Sequence, residues 1–285
     1  MGPGPAGRPR IASGRQALSG NLYVAGHRLA WHHAGHGPRP AVALHCTLGH
    51  AGAWLGVAAA LGEQLTFRLL DAPGHGRSDP WNGTGDFVAV TAEAARALLP
   101  PDGPADLIGH SAGGVAAVLA ALAAPERVRT LTLIDPVLFR AAEGRPGWAE
   151  HMRITAGFAE RLRADPVDAA RAFLSLWGEE GGLDAAGSRQ KRYILDRIGL
   201  IAAGIPAVED DIHGIFAGAR LSALQMPVMI VIGGASPAVI AEIAEGIGAR
   251  IPAAQIRTVA GARHMLPVTH PADVAAAIAE NLSRG

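Results

Sequence analysis

The chain has one cysteine in 285 residues. Without a second thiol there is no intrachain disulfide, which excludes a stapled secreted scaffold and favours a reducing compartment. Net charge is also missing, since 25 Lys+Arg stand against 25 Asp+Glu. Sequence-independent nucleic-acid binding rests on counterion release from a basic surface, and polybasic membrane docking needs the same excess, so neither partner is expected. No uninterrupted apolar run reaches the ~18 residues of a membrane span, because charge, Gly or Pro breaks every long one. Segment 1–20, MGPGPAGRPRIASGRQALSG, has no acid and lacks the apolar stretch of roughly 7 to 15 residues that a secretory signal requires. It is expected to be a frayed tail, and the protein to be cytoplasmic. Gly 37 and Pro 20 together make a fifth of the chain, below the level of roughly 25 to 30% that marks low-complexity disorder. What is present is a 49% hydrophobic fraction, enough for a sizeable core. At roughly 150 residues per domain the length lies between two small domains and one large one.

From Asn21 the pattern is regular. NLYVAGHRLAWHHAG reads as two extended runs around Gly26, a hairpin, and PAVALHC as a compact strand. A helical stretch Ala51 to Leu61, a strand LTFRLLD, a helix near Phe87 to Leu99, a strand ADLIG, a helix from Ser111 to about Ala123 and a strand TLTLID follow. Strands separated by helices of this length imply right-handed crossovers and a mostly parallel sheet covered on both faces. Residues 137–225 carry apolar positions at helical spacing with no convincing strand. Strand character returns at MPVMIVIGG, followed by a helix near Pro237 to Gly248, a strand AQIRTVA and a closing helix from Pro271 to Leu282. The expected organisation is a tail over 1–20, an α/β core from 21–136 and 226–285, and an inserted all-helical cap over 137–225.

The most specific segment is DLIGHSAGG, residues 106–114, in which an apolar strand runs through Gly109, His110, Ser111, Ala112 and Gly113 into an Ala-rich helix. This is G-x-S-x-G in its strand-turn-helix setting. The turn is so tight that Ser111 takes a strained backbone conformation, and side chains two residues to either side would collide, which Gly109 and Gly113 avoid. The hydroxyl is then lifted above the sheet edge, with the positive end of the following helix aimed at the reacting centre. The bland alternative is an ordinary Gly-rich turn before a helix.

From Asn21 to the C-terminus the chain resembles the α/β-hydrolase superfamily. Three more segments carry the resemblance in the correct order: LHCTLGHAGAW at 44–54, similar to the oxyanion loop after the third strand; DAPGHGRSD at 71–79, similar to the DxxGHGxSD turn; and GARHMLP at 261–267, similar to the segment bearing the catalytic histidine. The resemblance implies an α/β-hydrolase fold, a mostly parallel eight-stranded sheet flanked by helices, with Ser111 as nucleophile and His264 as the base that a neutral hydroxyl needs. His75 is expected to pack within its turn, and His110 to flank the elbow. His32, His33 and His36 suggest a metal cluster by count, but they fall in what reads as a Gly/Pro-rich loop without a partner acid or Cys at ligand spacing, so no metal or cofactor is expected.

The third member departs from the commonest family pattern. GGASPAVI places Ser236 where the acid is expected, and Glu242 and Glu245 fall inside the next helix. The family's alternative position follows the preceding sheet strand, where the chain offers Asp135 in LIDPVLF. A carboxylate there would hold the tautomer of His264. The competing readings are that Asp135 only caps a turn beside Pro136, that a Ser-His dyad operates, or that Asp210 or Asp211 from the cap supplies the acid. Negative charge developing on a substrate oxygen calls for two N–H donors, for which the resemblance points to the backbones of Ala112 and Thr47. Cys46 is read as a small buried hydrophobe rather than a nucleophile paired with His45.

Phe139, Trp148, Phe158, Phe173 and Trp177 are candidate pocket residues of the cap, but apolar residues at helical spacing are more often core, and none is assigned to substrate binding. The resulting expectation is a serine hydrolase that cleaves a carboxylic ester of a small or medium apolar small-molecule substrate through an acyl-enzyme. The same triad also serves lactones, thioesters, C–C bonds and cofactor-free haloperoxidation, and a non-catalytic ligand receptor of this fold is the alternative from another class. An aspartate-nucleophile epoxide hydrolase or dehalogenase is disfavoured by serine at 111.

Overall fold

A computed structural model describes residues 19–178 and 181–285. Its eight strands are β1 (Ser19–Val24), β2 (His27–Ala34), β3 (Arg39–Leu44), β4 (Leu65–Leu70), β5 (Ala105–His110), β6 (Val128–Ile134), β7 (Val228–Gly233) and β8 (Ala254–Val259). They form one sheet in the order β1-β2-β4-β3-β5-β6-β7-β8. The β1/β2 hairpin and the β2/β4 pair are antiparallel, and all other pairs are parallel. The central strands β5 and β7 are buried along their whole length, as expected of strands covered on both faces.

The helices of the sheet layers are α1 (Leu55–Leu61), α2 (Phe87–Leu98) and α3 (Ala112–Ala123). The α4 (Pro146–Thr155), α5 (Phe158–Ala164), α6 (Pro166–Trp177), α7 (Gly182–Ala185), α8 (Ser188–Leu195) and α9 (Gly199–Val208) helices lie between β6 and β7. The chain closes with α10 (Ala238–Gly248), α11 (Leu266–Thr269) and α12 (Pro271–Leu282). Alternation along the strands divides the core into two layers. Leu107, Leu131, Leu133 and Ile230 pack with α2, α3 and α10, whereas Ile108, Ile134, Met229 and Val231 pack with α1 and α12.

Two expected boundaries differ. The first strand starts at Ser19 rather than after residue 20, because Ser19 and Gly20 pair with His32 and Trp31 of β2; the rest of the expected tail lies outside the described residues. The span 137–225 is not all cap. Phe139 to Ala142 form a short 3-10 turn whose Phe139, Ala141 and Ala142 belong to the main core beside α10, so the helical layer proper runs from Pro146 to Val208. His32 and His33 lie within β2, not in a loop, and His32 Nε2 is 3.0 Å from Asp71 Oδ2, a carboxylate remote in sequence. No helix among the described residues is long and apolar enough to cross a membrane.

Candidate active site

The carboxyl ends of the parallel strands are the place where α/β sheets bind ligands, and here they converge on one cavity of about 1350 Å³. Immediately beyond β5, Ser111 has φ 56° and ψ −122°, a conformation that L side chains rarely take. It is held by Ser111 N–H donating to Ile134 O at 2.9 Å and by Gly114 N–H donating to Ser111 O at 2.8 Å. The flanking glycines are required for two different close approaches. A Cβ on Gly109 would stand 2.3 Å from Gly113 O, and a Cβ on Gly113 would stand 2.5 Å from Leu44 O at the end of β3.

Asp135 follows β6, is fully buried, and has φ 39°. Three donors converge on its carboxylate: Gly233 N–H to Oδ1 at 2.8 Å, Ser236 Oγ–H to Oδ2 at 2.6 Å, and His264 Nδ1 to Oδ2 at 3.0 Å. With its proton on Nδ1, the imidazole leaves Nε2 as the free base. Ser111, 7% exposed, and His264, 5% exposed, face the same cavity. Among the described residues no hydrogen bond joins them, and such contacts commonly tighten only when substrate binds. Trp177 of α6 meets the His264 ring edge-on at 4.8 Å between centroids. His110 points away from the Ser111 hydroxyl and donates from Nε2 to His264 O at 2.8 Å. Burial, with His264 nearby, pushes His110 well below the usual histidine range, so it acts as a neutral strut.

The loop after β3 is fixed by neutral histidines. His45 Nδ1–H donates to Cys46 O at 2.7 Å while Nε2 accepts from Ala72 N–H at 3.0 Å, and burial lowers its pKa. His75 Nε2 accepts from Leu48 N–H at 3.1 Å and Nδ1–H donates to Pro73 O at 2.9 Å; burial, then His45, pushes its pKa down to about 3. Asp71, at the start of that turn, accepts from Ala51 N–H at 2.7 Å and Arg77 N–H at 2.9 Å. Burial pushes its carboxyl up, but these donors and His32 outweigh it and the net shift is downward. The outcome is that Thr47 and Ala112 line the cavity, and among the described residues neither backbone N–H has an acceptor. Ala112 is the first residue of α3, where an N–H has no intrahelical partner. Cys46 is buried, and burial pushes its thiol up to about 12, which leaves it a poor nucleophile.

Phe139, Phe158, Phe173 and Trp177 line the cavity, but Trp148 does not. Its backbone N–H and that of Gly147 donate to Glu242 at 2.9 and 2.8 Å, which pins the start of α4 to α10 and packs the indole on the core. Asp211 is taken up in a turn, accepting from Ile215 and Phe216 N–H at 2.7 and 3.0 Å. Sequence reasoning missed the hydroxyl of Tyr193, which donates to Gly49 O at 2.7 Å and accepts from Gly76 N–H at 3.2 Å, linking the cap to both site loops. It also missed Ser236 as a donor to Asp135, although the gap in the usual acid position pointed at that residue.

An eight-stranded, mostly parallel sheet with a strained G-x-S-x-G turn after β5 and a helical cap is the architecture of the α/β-hydrolase class. Residues 41–277 match the alpha/beta hydrolase family, and the chain belongs to it. Over 149 residues it is 35% identical to the pimeloyl-[acyl-carrier protein] methyl ester esterase of Salmonella heidelberg (strain SL476), a stretch covering 51% of this chain and 55% of that protein. The chain thus spans about half the length of the curated relatives it matches. Among solved structures, a thermophilic esterase superposes with a TM-score of 0.72 at 20% identity, covering 93% of this chain and 97% of that one. The carboxylesterase CesB (YbfK) from Bacillus subtilis superposes with a TM-score of 0.72 at 20% identity, covering 95% and 93%. At such identities these two matches speak for the fold.

Proposed function

We propose that the protein is a serine-dependent carboxylic-ester hydrolase. Ser111 Oγ attacks the ester carbonyl while His264 Nε2 takes its proton, and the tetrahedral oxyanion is met by Ala112 and Thr47 N–H. Asp135 keeps the imidazole in the required tautomer and stabilises the imidazolium. Collapse expels the alcohol, protonated by His264, and leaves Ser111 acylated; a water activated by His264 then releases the acid and restores the serine.

The observation that carries this reading is the 3.0 Å contact of His264 Nδ1 with a buried carboxylate, while the same histidine shares a cavity wall with Ser111. The ester chemistry in the relative's name supports it. The largely apolar wall, with Phe139, Phe158, Phe173 and Trp177, favours an apolar acyl chain, and a volume of about 1350 Å³, above the roughly 300–1000 Å³ usual for small-molecule sites, suits one of medium length. The test is turnover of p-nitrophenyl esters of increasing acyl length, with phosphonate labelling located by mass spectrometry. Saturable turnover, label on Ser111 and a loss of ~10⁶-fold in kcat on Ser111→Ala are expected; undiminished turnover in that variant, or label elsewhere, refutes the reading.

A further inference from the structure

Two buried nitrogens without a hydrogen-bond partner, His151 Nδ1 and Arg197 Nε, belong to residues of the cavity wall. His151 is partly accounted for, because its Nε2 lies 3.3 Å from Glu209 Oε1 and its ring stacks on Phe139 at 4.0 Å. Arg197 is not. It sits between α8 and α9, half-buried, with its guanidinium carbon 3.8 Å from the centroid of the Tyr193 ring. Nη1 donates to Tyr193 O at 3.1 Å, and no carboxylate of the described residues lies within 4.0 Å of it. Half-buried arginines of this chain take two kinds of partner: Arg39 and Arg28 meet Asp106 and Asp79 at 2.9 Å, whereas Arg68, Arg127 and Arg284 donate to backbone carbonyls; Arg197 differs from all of these in lining the cavity.

A guanidinium does not give up its proton, and a charge partly drawn out of water is stabilised by an anion placed beside it. The face of an aromatic ring compensates only in part. The shelf on which Arg197 lies is tied down, because the Tyr193 hydroxyl is bonded to Gly49 and Gly76, next to the loop that carries Thr47. A permanent cation therefore stands at a set place in the wall of a cavity that also presents Phe158, Phe173, Trp177, Ile201 and Ile205.

We propose that Arg197 is the counter-ion for a carboxylate carried by the substrate, at the far end of an apolar spacer from the scissile ester. This rests on the serine-esterase reading and narrows it: the preferred substrates are half-esters of dicarboxylic acids, if the carboxylate belongs to the acyl part, or esters of ω-hydroxy acids, if it belongs to the alcohol part. Planar, two-pronged recognition by a guanidinium matches a carboxylate.

The test begins with binding, so that it does not depend on turnover. Ser111→Ala protein is titrated with monomethyl esters of straight-chain dicarboxylic acids, with acetyl esters of ω-hydroxy acids, and with the neutral dimethyl or methyl esters of equal length, following tryptophan fluorescence. One of the two anionic series is expected to bind roughly 10- to 100-fold more tightly than its neutral counterpart, the range for a hydrogen bond to a charged group. Adding Arg197→Gln removes that difference, and Arg197→Lys, which keeps the charge and loses the fork, retains part of it. On the Ser111 protein, the ratio of kcat/KM for anionic over neutral esters falls by the same factor in Arg197→Gln. Equal binding of anionic and neutral esters, or a preference untouched by Arg197→Gln in protein with an unchanged circular dichroism spectrum, overturns the proposal. Preferential binding that depends on Arg197 without hydrolysis of any ester upholds carboxylate recognition by Arg197 and instead refutes the esterase reading on which the substrate class rests.

Discussion

Replacing Asp135 by Asn gives the sharpest prediction. The left-handed backbone at this position, φ 39°, is one that Asn tolerates nearly as well as Asp, so the fold is expected to survive. The carboxylate accepts from three donors, and an amide has one oxygen. If that oxygen stays on Gly233 N–H, the amide NH₂ replaces Oδ2 and faces His264 Nδ1, which must then give up its proton to accept. The imidazole proton moves to Nε2, the nitrogen meant to receive the proton of Ser111. The stabilisation of imidazolium is lost with it. One unit charge at the 3.0 Å seen here, at an effective dielectric of about 20, is worth about 5.5 kcal/mol, which corresponds to a loss of about 10⁴-fold in kcat. The assay is steady-state hydrolysis of the best p-nitrophenyl ester, with Ser111→Ala as background and circular dichroism as the folding control. An Asp135→Asn enzyme within about tenfold of the unmodified rate refutes both the assignment and the electrostatic reasoning.

Further expectations follow from the same contacts. Because Ser236 Oγ is 2.6 Å from Asp135 Oδ2, a carboxylate at 236 reaches the same histidine nitrogen, and Asp135→Asn/Ser236→Asp is expected to regain at least about 10²-fold in kcat over Asp135→Asn alone. Tyr193→Phe removes two hydrogen bonds between the cap and the site loops and is expected to lower stability by about 1–3 kcal/mol in urea titrations. Arg39→Ala removes the bidentate partner of the fully buried Asp106 but leaves Arg129 at 3.5 Å and the Thr130 hydroxyl, and is expected to cost about 1.5–3 kcal/mol; denaturation unchanged within error sinks that reading. The lowered pKa of Asp71 means that the unfolded chain binds its proton first. Its contribution to stability is complete above the ordinary carboxylate value of about 3.9 and disappears as pH falls towards the folded value. Unfolding midpoints measured from pH 6 downwards are expected to fall more steeply for the unmodified protein than for Asp71→Asn.

The mostly parallel sheet and the strained turn at Ser111 were legible because both follow from rules that act locally. β5 enters a turn that only Gly109 and Gly113 permit, and the alternation of strands and helices leaves one handed way to build the layers. Asp135 was a candidate by subtraction, from a serine at the customary acid position, and its contact with His264 came only with the fold. The hydrogen bond from Ser236 was not legible, because it depends on how two loops after neighbouring strands close on each other across 101 residues. Periodicity in α4 marks Trp148 as apolar but not the direction in which α4 lies, which Glu242 decides by binding the first turn of that helix. Tyr193 and Arg197 were invisible for the same reason: helical spacing in the cap says which residues share a face and nothing about which loop that face meets. His32 and His33 fall at the end of the second extended run, next to a Gly/Pro-rich segment, and what assigns them to the strand is the pairing of β2 with β4, a long-range property.

Under the proposed mechanism, the Tyr193 hydroxyl would make admission and chemistry a single event. Its two partners, Gly49 and Gly76, sit on segments that hold Thr47 in place, so α8 cannot swing outward and leave the donor pair of Thr47 and Ala112 intact. An open entrance would then mean a disassembled donor pair, and bulk water reaching Ser111 would meet a site unable to stabilise charge. Amide exchange at Leu48 and Gly49 is expected to slow when a phosphonate occupies Ser111, and to lose that response in Tyr193→Phe.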